Sequence, residues 1–107
     1  MKTMPNEDAN AISLIEQTGA GQIILYLFIH KENTGINITE LQKQLKPARE
    51  TILRTISFLA KKQIITEVTE KKFPFEHKVK LTEQGLRAAQ HLAAFAEALQ
   101  PQENKEE

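Results

Sequence analysis

Within PARETILRTISFLAKKQ, residues 47–63, Glu50, Arg54, Ser57 and Lys61 recur at intervals of three and four. Arg49 stands just before them and Thr51 just after Glu50. A guanidinium is a planar fork that pairs two oxygen or ring-nitrogen acceptors at once, and hydroxyls beside it add short-range donors. Further along, Lys71 and Lys72 lead into Phe73, Pro74 and Phe75 in EKKFPFEHKVKLTEQG, residues 70–85. This is equipment for holding an extended anion. Equipment for bond-making is missing from the sequence. With no cysteine there is no disulfide, thiolate nucleophile or thiolate metal site. His30, His77 and His91 have no metal-ligand spacing, and no glycine-rich phosphate loop occurs. The sequence therefore predicts a binding protein, not an enzyme, with no metal and no cofactor.

The charges support an anionic partner through their placement. The formal net charge of the 107 residues is zero. Residues 41–80, however, carry ten Lys or Arg against four Glu, a net +6, while the flanking thirds carry −3 each. Such a basic block between acidic ones suits a polyanion-facing surface.

The elements that must position these groups follow from periodicity and capping residues. The length fits one domain, taken as residues 1–100, with a disordered tail over 101–107 in the polar PQENKEE. Asn6 and Asp8 are N-cap types, and Ala9, Ala11, Ile12, Leu14 and Ile15 follow at rough helical spacing until Gly19 and Gly21 break the pattern. The apolar run Ile23 to Ile29 suits a buried strand or a buried helix; Leu, Phe and Tyr within it favour the helix. It is far shorter than the roughly 18 residues of a membrane span. With no apolar leader at the N-terminus, the chain is expected to be soluble and cytoplasmic.

Ile36 to Ile38 suit a short strand. Thr39 opens a capping box with Gln42, and Leu41 and Leu45 lie one turn apart on an inner face. Lys46-Pro47 ends that helix, and Pro47 can begin the next. In this second helix, over 47–62, Ile52, Ile56 and Leu59 mark the buried face and Leu53 and Ala60 widen it. ITEVTEKK and HKVKLT alternate like strands and form a hairpin over 66–81, with Lys78 and Lys80 on its outer face. Thr82 caps a last, alanine-rich helix in which Leu81 can staple onto Leu86. Leu86, Ala89, Ala93, Ala96 and Leu99 or Gln100 trace its stripe, Leu92, Phe95 and Leu99 suit plain core positions, and Pro101 ends it.

The resulting order is helix, helix, short strand, helix, helix, strand, tip, strand, helix. Two helices joined by a tight turn and followed by a β-hairpin make a winged helix-turn-helix, an α+β fold that is mostly α. ITELQKQL, a helix ending in LAKKQIITE, a basic tip with a proline and KVKLTEQG also resemble the winged-helix transcription regulators of the MarR-like and HxlR-like families. Leu81, Thr82, Glu83, Gln84 and Gly85 match their SLTEKG-like segment, and FPFEHKVKLT is similar to the HxlR-type PPRVEYSLT, with Phe73 in place of the first proline. The chain departs from the HxlR-like pattern in having no cysteine near its N-terminus.

The resemblance implies a homodimer on double-stranded DNA, joined through its terminal helices, with the helix from Pro47 in the major groove. On that footing Arg49 and Arg54 contact base edges or phosphates, and Thr51 and Ser57 donate to either. Glu50 accepts from a cytosine amine or pairs with Arg54 at i, i+4. Thr39, Lys43 and Lys46 position the protein on the backbone, although capping alone is a sufficient task for Thr39. Lys71 and Lys72 reach phosphates or the minor groove, while Phe73 and Phe75 fold back onto the domain or stack on bases. No membrane partner is expected, and no small-molecule effector is identifiable. Two other functions fit the same pattern: a protein-interaction module, and an architectural DNA binder with little sequence preference.

Overall fold

The apolar run that could have been strand or helix is a helix. In a computed structural model, which describes residues 12–30, 35–69 and 77–100, helical residues 12–16 (α1) precede helix α2, Ala20–Ile29. Ala20, Ile23, Ile24 and Leu27 of α2 are buried, the spacing of a helix face rather than of a pleated strand. Of the two glycines expected to break the chain, only Gly19 does so, as the left-handed N-cap of α2; Gly21 lies within the helix.

Strand β1 is Ile36–Asn37, and Ile38–Gln44 forms helix α3. The sequence places the cap two residues late. Asn37, not Thr39, is the N-cap, and its side chain accepts a 2.8 Å hydrogen bond from the Thr39 backbone N–H. Thr39 is thus released from capping and stands exposed. Helix α4, Arg49–Lys61, begins after the turn at Pro47 rather than on it, with Ala48 as N-cap. Its end needs no glycine. Gln63 takes the left-handed conformation, its N–H bonds to the Ala60 carbonyl, and the Ile64 N–H bonds to that of Leu59. This double closure sets buried Ile64 on buried Leu59.

Strands β2, Ile65–Thr69, and β3, His77–Leu81, pair antiparallel from Ile65 against Leu81 to Thr69 against His77. β1 adds to the other side of β3, Ile36 opposite Val79, giving the sheet order β1-β3-β2. Gly35, at φ +91°, admits the chain to this edge, where a Cβ would lie 2.8 Å from the Val79 carbonyl oxygen. Val79 at the centre is fully buried, and Lys78 and Lys80 point to the opposite face. The hairpin tip, with Lys71, Lys72, Phe73, Pro74 and Phe75, lies outside the described residues, as do Asn6, Asp8 and the 101–107 tail.

Helix α5, Glu83–Leu99, starts on a junction that the sequence only half reveals. The Thr82 hydroxyl accepts from the Gly85 N–H at 2.9 Å, as its capping role predicts. The Thr82 N–H donates to the Ile64 carbonyl at 3.0 Å. Gly85 packs so closely on that carbonyl that a Cβ would fall 1.9 Å from its oxygen. This close approach seats α5 on the chain just past the end of α4. The core joins α2 to α5 with the sheet through Ile23, Ile24, Leu41, Ile52, Leu59 and Val79.

Candidate nucleic-acid interface

The face of α4 turned from the core is built by the same periodicity that builds the core. Ile52, Thr55, Ile56 and Leu59 are buried, while Glu50, Arg54, Ser57 and Lys61 are exposed on the other side. Two positions differ from the sequence expectation. Leu53, expected to widen the buried face, is 47% exposed, and Thr55 takes a place in the core at 1%. At about 100° per residue, Leu53 sits more than a quarter turn from the middle of the buried stripe, whereas Thr55 lies about 50° from that middle, at the stripe's opposite edge. The Thr55 hydroxyl is satisfied there by donating to the Thr18 carbonyl at 2.6 Å, so its burial leaves no orphaned polar group.

Arg49 is the first residue of α4 and is exposed; Thr51 is half-buried on the flank. Glu50 and Arg54 form no ion pair with each other among the described residues, so the i, i+4 pairing is not made and both side chains face solvent. α3 presents Thr39 and Lys43 one turn apart, both exposed. Exposed Lys46 follows in the turn, its backbone N–H directed at Gln22 Oε1 at 3.4 Å. A long contact from Gln42 Nε2 to the Arg49 carbonyl, also 3.4 Å, spans the turn between the two helices. Gln42 is thus a connector of α3 to α4, not the second half of a capping box. On the far side of α3, the Tyr26 hydroxyl donates to Glu40 at 2.6 Å. That hydrogen bond, with burial and the carboxylate charge, raises the tyrosine above its ordinary ionisation.

At the base of the hairpin, His77 Nε2 and Glu67 Oε1 are 2.6 Å apart, linking β3 to β2 just before the tip. Of the ten residues singled out for contact, the structure sets Glu50, Arg54 and Ser57 in one stripe and places Arg49 and Thr51 beside it. Thr39, Lys43 and Lys46 lie exposed on the preceding helix and turn, and Lys71 and Lys72 fall outside the described residues. The described residues hold no cluster of His, Asp or Glu arranged to bind a metal, and no helix among them is long and apolar enough to cross a membrane.

The terminal helices carry a different surface. Of the six exposed large hydrophobic residues among the described residues, Ile12 and Ile15 lie on α1, and Phe95 and Leu99 on α5. Phe95 and Leu99 are 58% and 68% exposed, against the expectation that they sit in the core.

No protein-family model and no curated protein sequence matches the chain. Solved structures do match. One is described as a MarR-family transcriptional regulator from Porphyromonas gingivalis W83, at TM-score 0.72 and 15% identity over 91% of this chain and 94% of that one. The transcriptional regulator YodB of B. subtilis in its reduced form follows at 0.67 and 16% over 91% and 95%. The F27L mutant of MepR from S. aureus, bound to an oligodeoxyribonucleotide, aligns at 0.66 and 18% over 86% and 69%. At such identities the shared property is the fold. This chain has the winged helix-turn-helix fold of the MarR-like regulators, the fold that its element order and its LTEQG segment suggest.

Proposed function

We propose that the protein is a transcription regulator that binds duplex DNA as a homodimer, with α4 in the major groove and the β2–β3 hairpin on the backbone or minor groove. The observation that carries this reading is the outer stripe of α4. Glu50, Arg54, Ser57 and Lys61 stand exposed on the second helix of a helix-turn-helix whose inner side is fully spoken for by the core. Arg49 and Arg54 supply base-edge or phosphate contacts, Thr51 and Ser57 supply donors, and Glu50 accepts from a cytosine amine. Thr39, Lys43 and Lys46 hold the backbone ahead of the groove, and Lys71 and Lys72 hold it from the hairpin tip. An oligonucleotide on MepR, a protein of the same fold, supports DNA as the partner class.

Homodimerisation is supported by the exposed apolar residues of α1 and α5. One recognition helix offers few phosphate contacts, so two linked copies on half-sites about one helical turn apart are needed for useful affinity. A second reading, in which the α4 face docks a protein, draws on Glu50 and on half-exposed Leu53. Fluorescence-anisotropy titration on random duplex at two salt concentrations separates the two. Binding that weakens steeply with salt supports the DNA reading; no binding at low salt, or a flat slope, selects the protein-docking one. Selection from a random duplex library then recovers a two-fold symmetric motif if the protein is a regulator, and no motif if it is architectural.

A further inference from the structure

Leu53 is the apolar exception on the outer side of α4. It is 47% exposed beside fully buried Ile52, and at about 100° per residue it lies more than a quarter turn from the middle of the stripe that the core covers. It lies one helical turn from Arg49 on one side and one turn from Ser57 on the other, in the first half of a 13-residue helix. A leucine in that row gains nothing from phosphates, which are hydrated anions. The major-groove edge of a base pair has one apolar feature that it can cover, the C5 methyl of thymine. We propose that Leu53 is a specificity-determining residue that reads a thymine methyl in each half-site, between the groups met by Arg49 and Ser57. The inference rests on the DNA-binding reading above and adds a base preference to it.

Leu53 packs against the methyl and removes both from water. Burying one methyl group corresponds to about fourfold in affinity. The polar residues on either side orient the helix, so the discrimination falls on one thymine and not on every thymine of the site.

The test takes the sequence recovered by library selection and replaces each thymine in turn by deoxyuridine, which deletes the methyl and leaves the hydrogen-bonding edge intact. The native chain is expected to bind about fourfold more weakly per half-site at one position and to be indifferent at the others. Leu53→Ala, checked for folding by circular dichroism, is expected to bind the thymine and deoxyuridine sites alike, and the deoxyuridine site about as well as the native chain does. Specific binding that is indifferent to deoxyuridine at every position overturns this inference and leaves the regulator reading intact. So does a selected half-site without thymine, or an undiminished methyl effect in Leu53→Ala. Failure to bind any duplex overturns both, and salt-insensitive capture of a protein by this face does the same.

Discussion

Helices α4 and α5 solve the same folding problem and leave opposite residues. Each buries one stripe: Ile52, Thr55, Ile56 and Leu59 on α4, and Gly85 and Ala89, flanked by half-buried Leu86, Ala93 and Ala96, on α5. On the uncovered side α4 carries Glu50, Arg54, Ser57 and Lys61, while α5 carries Phe95 and Leu99. Charges left in water are already well solvated and remain available for exchange with an anion's counterions. Large apolar groups left in water lose roughly 25 cal/mol for every Å² that stays wet, and gain it back when covered by a like surface. The buried stripes therefore define the fold, and the uncovered ones carry the two contacts of the proposed function: a polyanion at α4, a second copy of the chain at α5.

Gly85 is where α5 is seated, against the Ile64 carbonyl of the chain leaving α4. Gly85→Ala drives a Cβ into the Ile64 carbonyl, which is backbone and already receives the Thr82 N–H. The gain in helix propensity, about 1 kcal/mol, does not offset the overlap. A loss of about 3 kcal/mol or more is expected, seen as a lowered urea midpoint at unchanged slope. A midpoint within about 0.5 kcal/mol of the native chain would show that the junction yields and that α5 is free to shift against α4.

The next largest effect separates the two surfaces. Phe95→Ala should weaken self-association by about 2 kcal/mol, roughly thirtyfold, as expected for an aromatic anchor in an interface. Sedimentation equilibrium reads this directly, and because Phe95 lies outside the core the monomer should melt as a folded domain. An unchanged association constant would move the interface elsewhere and leave Phe95 and Leu99 without a partner. The same measurement on Arg54→Ala should show no change, since the proposed self-association runs through the terminal helices and Arg54 lies on α4.

The contrast was legible in the sequence to unequal degrees. Periodicity alone places Ile52, Ile56 and Leu59 inside and Glu50, Arg54, Ser57 and Lys61 outside, because a 13-residue helix with one apolar stripe has few ways to sit. The Thr82 cap and the paired strands were equally plain, since hydroxyl capping and alternation are local signals. Three features were not local. Thr55 enters the core because a carbonyl from the turn before α2 satisfies its hydroxyl, and no pattern within α4 announces that partner. Asn37 takes the cap from Thr39 because β1 ends after two residues, a limit set by pairing with β3. Gly85 is held by an approach from Ile64, twenty-one positions earlier, so its own neighbours give no sign of the constraint. The exposure of Phe95 and Leu99 was hidden for the opposite reason: an apolar residue on an amphipathic helix looks the same in sequence whether its own domain or another copy covers it.

Within the polar surface itself, the proposed function draws a finer division between α4 and α3, specificity against anchorage. Arg54→Ala should cost about 2 kcal/mol on a selected site and much less on random duplex, because a fork aimed at base edges is lost. Its effect on folding stability should stay within about 0.5 kcal/mol, as for other solvent-facing positions. Lys43→Ala should behave differently. Exposed in the last turn of α3, it offers a single charge to the backbone, so selected and random duplexes should weaken alike. The slope of log affinity against log salt should become shallower by about 0.9 per contact, hence by about 1.8 for a dimer. Titrations of both variants at several salt concentrations, on both duplexes, give all four numbers. If Lys43→Ala shifts the selected site alone, or Arg54→Ala shifts both duplexes equally, the two helices have their tasks reversed: α3 would carry the base contacts and the outer stripe of α4 would lie along phosphates.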